Sequence, residues 1–234
     1  MSGTLTLVGV GPGDPELLTL KAVNAIGKAD VVVYPQKPGE TSLSLSIAQK
    51  HIGAAAVRLP VNVPMKVERE PAQQAYDQIA KTISSLLDEG KSVAYLCEGD
   101  PLFYGSAMYM IERLPQARVS IVPGITSLTA TASAIGRPLA ARNETLKVLP
   151  APLDSEKLIF ELNQTQSAAI IKVGRHFDRV RDVLTQTGHA ANAIVVEHAT
   201  QNRQKVTPLM DFAKGERPYF STILCYKGDE AWGK

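Results

Sequence analysis

Short apolar runs alternate along the first half of the chain with longer segments in which apolar residues recur every three or four positions. The short runs are typical of buried strands, and the longer repeat is typical of helices with one buried face. The pattern predicts the strands Thr4–Val10, Asp30–Tyr34, Val57–Pro60, Ser92–Leu96 and Arg118–Val122, and the helices Glu16–Ala29, Ser42–Lys50, Ala72–Glu89, Ala107–Arg113 and Ser127–Ile135. Strands that alternate with helices favour a mostly parallel sheet.

A polar, aperiodic stretch, Gly136–Asn143, separates this half from a second one that is richer in strands. The second half is predicted to contain the strands Thr145–Leu149, Ala168–Val173, Ala193–Glu197, Lys205–Thr207 and Phe220–Tyr226, and the helices Ser155–Leu162, Phe177–Gln186 and Leu209–Lys214. At least one strand pair near its end is expected to be antiparallel, which predicts a mixed sheet. We therefore expect two α/β domains, residues 1–137 and 138–234, with a ligand cleft between them.

Three predicted strands of the first half each end in a glycine-containing loop that leads into a helix. The loops are Gly9–Pro15 (GVGPGDP), Leu96–Ser106 (LCEGDPLFYGS) and Pro123–Ser127 (PGITS). Because the carboxyl ends of parallel strands share one edge, where open α/β sheets bind ligands, the loops are expected to form a site. An ordinary turn is the alternative interpretation of each loop taken alone.

Individual side chains in these loops have two interpretations. The Asp100 carboxylate suits either the hydroxyl and amino groups of a ligand or free backbone N–H groups. Thr126 and Ser127 suit either the cap of the following helix or a ligand carboxylate at its amino end. Gly99 lets a ligand lie against the main chain.

The first loop differs from a dinucleotide-binding fingerprint. Gly9, Gly11 and Gly13 are spaced as G-x-G-x-G rather than G-x-G-x-x-G, and Pro12 stiffens the loop. The acidic residue that should end a following strand is missing, because Asp30 begins the next strand instead. The spacing therefore argues against a nicotinamide-dependent oxidoreductase.

Composition excludes other classes of protein. The 234 residues are 44% hydrophobic and 21% charged, which is typical of a globular protein with a full core. A net charge of +2 argues against a protein built to bind nucleic acid through its phosphates. Cys97 and Cys225 lie in apolar runs and are expected to be buried thiols, and four scattered histidines predict no metal site. We expect no membrane span and, since no secretory signal precedes the first strand, a cytoplasmic protein.

The loops also resemble a known family. Gly9–Pro15 with the following LLTLKA (17–22), Gly99–Pro101 with Tyr104–Ser106, and Val122–Ser127 (VPGITS) resemble the three signatures of the tetrapyrrole methyltransferases, class III enzymes that use S-adenosylmethionine. The resemblance covers nearly the whole chain. The stretches that look most like the branch acting on carbon 20 of precorrin-2, or of its cobalt form, in cobalamin biosynthesis are Leu96–Tyr104, Pro138–Glu144, Val148–Ala151, Lys172–His176 and Pro218–Ser221.

The resemblance implies S-adenosyl-L-methionine as cofactor, a tetrapyrrole substrate and a homodimer. The residues implied to bind the cofactor are Gly99, Asp100, Pro101, Phe103, Tyr104, Thr126 and Ser127 and, in the second domain, Val173 and Ala199. A floor for the tetrapyrrole is implied at Gly11, Pro12, Gly13 and Asp14. The many carboxylates of such a substrate call for basic partners, and the candidates are Lys37, Arg137, Arg142, Lys172, Arg175 and His176, of which Arg142 and the 172–176 group rank first.

The implied reaction is attack of a meso carbon on the sulfonium methyl group, for which the protein must mainly align the reactants. No catalytic residue is assigned, but the proton lost afterwards needs an acceptor, and the candidates are Glu98, Asp100, His176 or water. Asp100→Ala is expected to weaken cofactor binding with little change in thermal stability. Two alternatives stay open: methylation of another tetrapyrrole such as uroporphyrinogen III, and a non-catalytic sensor of the tetrapyrrole or of adenosylmethionine.

Overall fold

The structure, a computed structural model, describes residues 3–36, 39–62, 70–115 and 118–228. Lys37 and residues 63–69 of the mixed-charge segment Val61–Pro71 therefore lie outside the described residues. The chain divides into two compact units, Met1–Thr126 and Ser127–Lys234. None of the helices in the described ranges is long and apolar enough to cross a membrane.

The first unit contains a parallel sheet of five strands among the described residues. The strands are β1 (Thr4–Gly9), β2 (Val31–Gln36), β3 (Val57–Asn62), β4 (Ser92–Cys97) and β5 (Val119–Val122), in the order β3-β2-β4-β1-β5. Every pairing is parallel, which confirms the prediction for this half. The order places β4, β1 and β5 side by side, so the three glycine loops follow neighbouring strands.

The helices that cover the two faces of this sheet in the described ranges are α1 (Leu20–Lys28), α2 (Leu43–Ala48), α3 (Glu70–Asp88) and α4 (Met108–Arg113). Side chains alternate between the faces along a strand. Leu5 and Leu7 of β1 belong to the core that includes residues of α3 and α4, whereas Val8 belongs to the core that includes residues of α1 and α2.

The predicted helix Glu16–Ala29 is interrupted. Residues Pro15–Leu17 form a single 3-10 turn, Leu18 is extended, and α1 begins only after Thr19. The Thr19 hydroxyl accepts the Ala22 N–H at 3.1 Å, so it caps a new helix start inside what the apolar repeat predicts as one helix.

The second unit contains a mixed sheet, as predicted. Its elements are α5 (Ser127–Ile135), β6 (Leu146–Pro150), α6 (Ser155–Leu162), β7 (Ser167–Ile171), α7 (Phe177–Gln186), β8 (Ile194–Glu197), β9 (Lys205–Pro208) and β10 (Ser221–Tyr226). The strand order is β6-β7-β10-β8-β9; β6 and β7 are parallel, and β10 is antiparallel to both β7 and β8. The predicted helix Leu209–Lys214 is only a 3-10 turn, Leu209–Asp211.

The boundary between the units lies before α5 rather than after Arg137, where the sequence predicts it. Ala130 of α5 packs with Val196 and Ala199 of the second unit. The Arg137 guanidinium donates to the Asn192 carbonyl oxygen at 2.9 Å. α5 and Arg137 therefore belong to the second unit, although Arg137 lies within the polar stretch Gly136–Asn143 that the sequence analysis predicts to separate the two halves.

His189 is completely buried in the second unit. Its Nδ1 lies 3.0 Å from the Thr187 hydroxyl. Burial, and then the positive charge of Lys227, lowers the pKa of His189 below its ordinary value. The folded protein therefore favours the neutral imidazole.

We predict that His189 makes stability fall as the pH drops. Because the pKa of His189 is lower in the folded than in the unfolded chain, its contribution is present above about pH 6.5 and is lost at lower pH, by at most about 1.4 kcal/mol per pH unit. Urea unfolding of the wild type and of His189→Gln at about pH 7.5 and about pH 5.5 checks this. The other histidines are present in both proteins, so an equal loss in the two would contradict the prediction.

Candidate functional site

The first two glycine loops are joined through their backbones at the carboxyl edge of the first sheet. The Val10 N–H donates to the Cys97 carbonyl oxygen at 2.9 Å. Gly11 and Gly99 exchange two hydrogen bonds, of 3.2 and 2.8 Å, and form an isolated antiparallel bridge. We call residues 9–14, 98–106 and 123–126 together the glycine-loop site.

Two glycines are required because the loops cross at contact distance. A Cβ on Gly124 would lie 2.1 Å from the Gly99 carbonyl oxygen, and a Cβ on Gly9 would lie 2.6 Å from the Gly124 nitrogen. Side chains at these positions would push the loops apart. The unusual glycine spacing of the first loop is therefore explained by its contacts with the other two loops.

Asp100 connects two of the loops. One carboxylate oxygen accepts the Leu102 N–H at 2.9 Å within its own loop, and the other accepts the Gly124 N–H at 3.0 Å. Of the two partners that the sequence allows for this carboxylate, the structure shows backbone N–H groups. Asp14 has a similar local role, because it accepts the Glu16 N–H at 2.8 Å.

The remaining residues predicted to bind the cofactor in this unit differ in exposure. Gly99 has a φ of +67°, and a Cβ built on it would have the Ile125 carbonyl oxygen at 3.8 Å as its nearest neighbour. The Tyr104 side chain is about half exposed and stands nearly perpendicular to the Phe103 ring, with the ring centres 5.1 Å apart. Pro101 is buried, whereas Thr126 is half-buried. A ligand on this site would thus meet bare backbone and an aromatic ring.

The ionisable groups at the end of β4 are acidic. Cys97 is buried, and burial, followed by the negative charges of Glu98 and Asp100, raises the pKa of its thiol. The thiol stays neutral and does not serve as a nucleophile. The half-buried carboxylates of Glu98 and Asp100 suit a cation better than a phosphate.

A second set of predicted residues meets at one edge of the second sheet. The Arg217 N–H donates to the Gly174 carbonyl oxygen at 3.1 Å, and the His198 N–H donates to the Phe220 carbonyl oxygen at 2.8 Å. These bonds connect the segments that follow β7 and β8 with the one that precedes β10. We call residues 172–176, 198–204 and 217–220 together the second-unit edge.

The second-unit edge includes most of the candidates from this half. Lys172 and Arg175 are exposed, and Ala199 packs on Ala130, so α5 and its first residue Ser127 begin near this edge. His176 is half-buried, and burial, followed by the charges of Arg179 and Arg175, lowers its pKa.

Two candidates are placed differently from their predicted roles. The Val173 side chain is fully buried in the core, so only its backbone is available to a ligand. Arg142 lies just before β6, close in sequence to Glu144. Glu144 accepts a hydrogen bond from the Tyr226 hydroxyl, and Tyr226 pairs with Ser167 at the start of β7, whereas Lys172 follows the end of β7. Arg142 therefore lies at the opposite edge of the sheet from Lys172.

Backbone conformation identifies two residues that the sequence analysis missed. In the part of the chain that the structure describes, the non-glycine residues with positive φ are Tyr104, Arg142, Lys172, His198 and Thr200. Such conformations are uncommon, are outliers for a β-branched residue, and cluster at functional sites. His198 and Thr200 flank Ala199, and no motif in the sequence distinguishes them.

Arg217 is a further residue that sequence analysis missed. Its guanidinium carbon lies 5.0 and 4.8 Å from the ring centres of Phe177 and Phe212, and its Nη1 lies 3.8 Å from the buried Glu197 carboxylate. The side chain thus fastens the segment before β10 to the end of β8. Its partners are distant in sequence, so spacing gives no signal for it.

We predict that Asp100→Ala lowers the free energy of unfolding by about 2 kcal/mol, because two backbone N–H groups lose a charged acceptor. Asp100→Asn keeps one acceptor oxygen and should lose about half as much. Chemical denaturation measures both variants. Asp14→Ala, which removes the carboxylate that caps the local 3-10 turn, is the control and should cost about 1 kcal/mol. Unchanged stability of Asp100→Ala would contradict this prediction and agree instead with the small change in thermal stability that the sequence analysis expects.

Comparison with known proteins agrees with this geometry. The family described as Tetrapyrrole (Corrin/Porphyrin) Methylases matches residues 4–211. The precorrin-2 C(20)-methyltransferase of a Sinorhizobium species is 38% identical over 95% of this chain and 94% of that protein. The cobalt-precorrin-2 C(20)-methyltransferase of Salmonella typhimurium is 28% identical over 97% of this chain and 98% of that protein.

Among solved structures, the uroporphyrin-III C-methyltransferase of Thermus thermophilus, complexed with S-adenyl homocysteine, has a TM-score of 0.65 to this chain. It is 25% identical, and the match covers 95% of this chain and 97% of that one. The resemblance carried by the three glycine loops is confirmed by matches that span nearly the whole chain: the protein belongs to the tetrapyrrole (corrin/porphyrin) methylases.

Proposed function

We propose that this protein transfers a methyl group from S-adenosyl-L-methionine to carbon 20 of precorrin-2, a step of cobalamin biosynthesis. The observation that carries the proposal is the 38% identity, over nearly the full length of both chains, to an enzyme named for that reaction. The enzyme named for the cobalt form is 28% identical, which favours the metal-free substrate.

The glycine-loop site fits such a cofactor. When bound, S-adenosylmethionine supplies an electrophilic methyl group on a positively charged sulfur. Gly99 offers bare backbone for close approach, and Tyr104 offers an exposed ring. The carboxylates of Glu98 and Asp100 favour a nearby positive charge. The complex of the Thermus relative with S-adenyl homocysteine supports a ligand of this class.

We assign the cofactor the residues that the resemblance implies, with two refinements from the structure. Asp100 shapes the site through its backbone partners, and Val173 contributes only its backbone. In the first unit these residues are Gly99, Asp100, Pro101, Phe103, Tyr104 and Thr126, and the resemblance also implies Ser127, Val173 and Ala199.

The tetrapyrrole is assigned the loop Gly11–Asp14 and the exposed cations Lys172 and Arg175. Guanidinium and ammonium groups bind carboxylates such as those on the periphery of the macrocycle. Arg142 is left out of this set because it lies at the opposite edge of its sheet. The candidates for proton acceptor stay Glu98, Asp100, His176 and water, and the lowered pKa of His176 leaves its imidazole able to accept a proton.

An anaerobic turnover assay tests the function directly. Purified protein is mixed with S-adenosylmethionine labelled in its methyl group and with precorrin-2, with or without cobalt, and the products are followed by mass spectrometry. We expect one labelled methyl group on metal-free precorrin-2. Transfer to uroporphyrinogen III alone would move the protein to another branch of the family, and binding without transfer to any tetrapyrrole would indicate a sensor. The implied homodimer is tested separately by the molar mass in solution.

We predict that Lys172→Ala and Arg175→Ala each raise the KM for the tetrapyrrole about tenfold, because each removes a charged partner of a carboxylate. The KM for S-adenosylmethionine should change less than about twofold. Steady-state kinetics with each reactant varied in turn measures the two effects. Lys157→Ala removes a positive charge on α6, outside the second-unit edge, and is the control. Equal changes in both KM values would contradict the assignment to the substrate.

A further inference from the structure

The loop between β8 and β9 is held by a glutamine side chain. The Gln204 Oε1 accepts the Thr200 N–H at 2.6 Å. Two backbone hydrogen bonds complete the loop. The Gln201 N–H donates to the His198 carbonyl oxygen at 2.9 Å, and the Gln204 N–H donates to the Gln201 carbonyl oxygen at 2.8 Å. The loop therefore closes on itself between the paired residues Glu197 and Lys205.

The hydrogen bond between the Thr200 N–H and Gln204 stabilises a backbone conformation that a threonine disfavours. Thr200 has a φ of +65°, which is an outlier for a β-branched side chain, and His198 has a φ of +52°. Between them, Ala199 is buried against Ala130 and Val196. Ala199 is thus fixed by packing on one side and by two left-handed neighbours along the chain.

The planarity of the peptide bond determines the direction in which the Ala199 carbonyl oxygen points. The Ala199 carbonyl and the Thr200 N–H belong to one trans peptide unit, so they point in opposite directions. Because Gln204 binds the N–H inside the loop, the Ala199 carbonyl oxygen is directed away from Gln204. A directed carbonyl is an acceptor for the amino or hydroxyl donors of a nucleoside.

We propose that Gln204 is a positioning residue that directs the Ala199 carbonyl toward the adenosyl part of the cofactor. The proposal rests on the proposed function, because it takes Ala199 as part of the cofactor site. Gln204 itself touches the protein backbone and not the ligand. Its contribution is to keep the Ala199–Thr200 peptide in its binding orientation before the ligand arrives, which is preorganisation.

Three variants separate this role from general support of the loop. Gln204→Leu has a similar size but no acceptor, Gln204→Glu keeps an acceptor oxygen at the same reach, and Asn202→Ala alters an exposed residue of the same loop. We expect Gln204→Leu to raise the Kd for S-adenosylhomocysteine about tenfold, because one hydrogen bond is lost and the Ala199–Thr200 peptide is displaced. Calorimetry measures this Kd. Gln204→Glu and Asn202→Ala should stay within about twofold of the wild type.

Two further readouts make the test specific. Amide hydrogen exchange of the peptide that contains Thr200 should become faster in Gln204→Leu and stay slow in Gln204→Glu, because the hydrogen bond to the residue-204 side chain protects the Thr200 N–H. The KM for the tetrapyrrole should rise less than the Kd for the cofactor product. A loop that is only generally weakened would affect both ligands, and the glutamate variant would not rescue it.

The proposal and the proposed function fail in different ways. If Gln204→Leu binds S-adenosylhomocysteine as tightly as the wild type, or if Gln204→Glu is as impaired as Gln204→Leu, the positioning role is overturned, whatever the substrate is. If the wild type binds S-adenosylhomocysteine and transfers no methyl group to precorrin-2, the function is overturned. A tenfold effect of Gln204→Leu in that case still supports the positioning role.

Discussion

The site of the first unit depends on one close contact, the crossing of the backbones at Gly9, Gly99 and Gly124. A single Cβ at Gly124 would come within 2.1 Å of a carbonyl oxygen, so the three loops keep this arrangement only without side chains at the crossing. The neighbouring positions of β4, β1 and β5 bring the loops together, and Asp100 then fixes two of them by accepting one N–H from each. The surface offered to a ligand is therefore mostly main chain, whose shape is set by packing beneath it.

The second unit also fixes the backbone of its loops, and it does so with polar side chains at positions where the first unit depends on glycines. Its edge contains residues in left-handed conformations, Lys172, His198 and Thr200, which cost free energy unless their surroundings hold them. Gln204 holds Thr200, and the guanidinium of Arg217, which packs over the rings of Phe177 and Phe212, connects the end of β8 to the segment before β10. A polar side chain that accepts or donates at a defined place can thus replace the conformational freedom of glycine.

The sequence predicts the parts of this architecture that depend on local pattern. Alternating apolar runs and helical repeats predict the parallel sheet, the mixed sheet and the glycine loops, because burial and periodicity are properties of neighbouring residues. Contacts over long separations have no such signal. The helix start at Thr19 is a local cap that the apolar repeat around it conceals, whereas the partner of Asp100 at Gly124 and the opposite position of Arg142 depend on which strands become neighbours. The unit boundary is missed for the same reason, since α5 is assigned by its packing and not by the polar stretch after it.

Charge is distributed between the two sites in a way that matches the proposed reactants. Glu98 and Asp100 place negative charge beside the glycine loops, whereas Lys172 and Arg175 place positive charge at the second-unit edge. Carboxylates attract a sulfonium, and cations attract the carboxylates of a tetrapyrrole, so under the proposed function the charges favour the sulfonium at the glycine loops and the tetrapyrrole's carboxylates at the second-unit edge. The carboxylates attract the neutral thioether left after methyl transfer less strongly than the sulfonium. Under the proposed function, the charges that help to bind the methyl donor therefore also favour exchange of the spent cofactor for a new one.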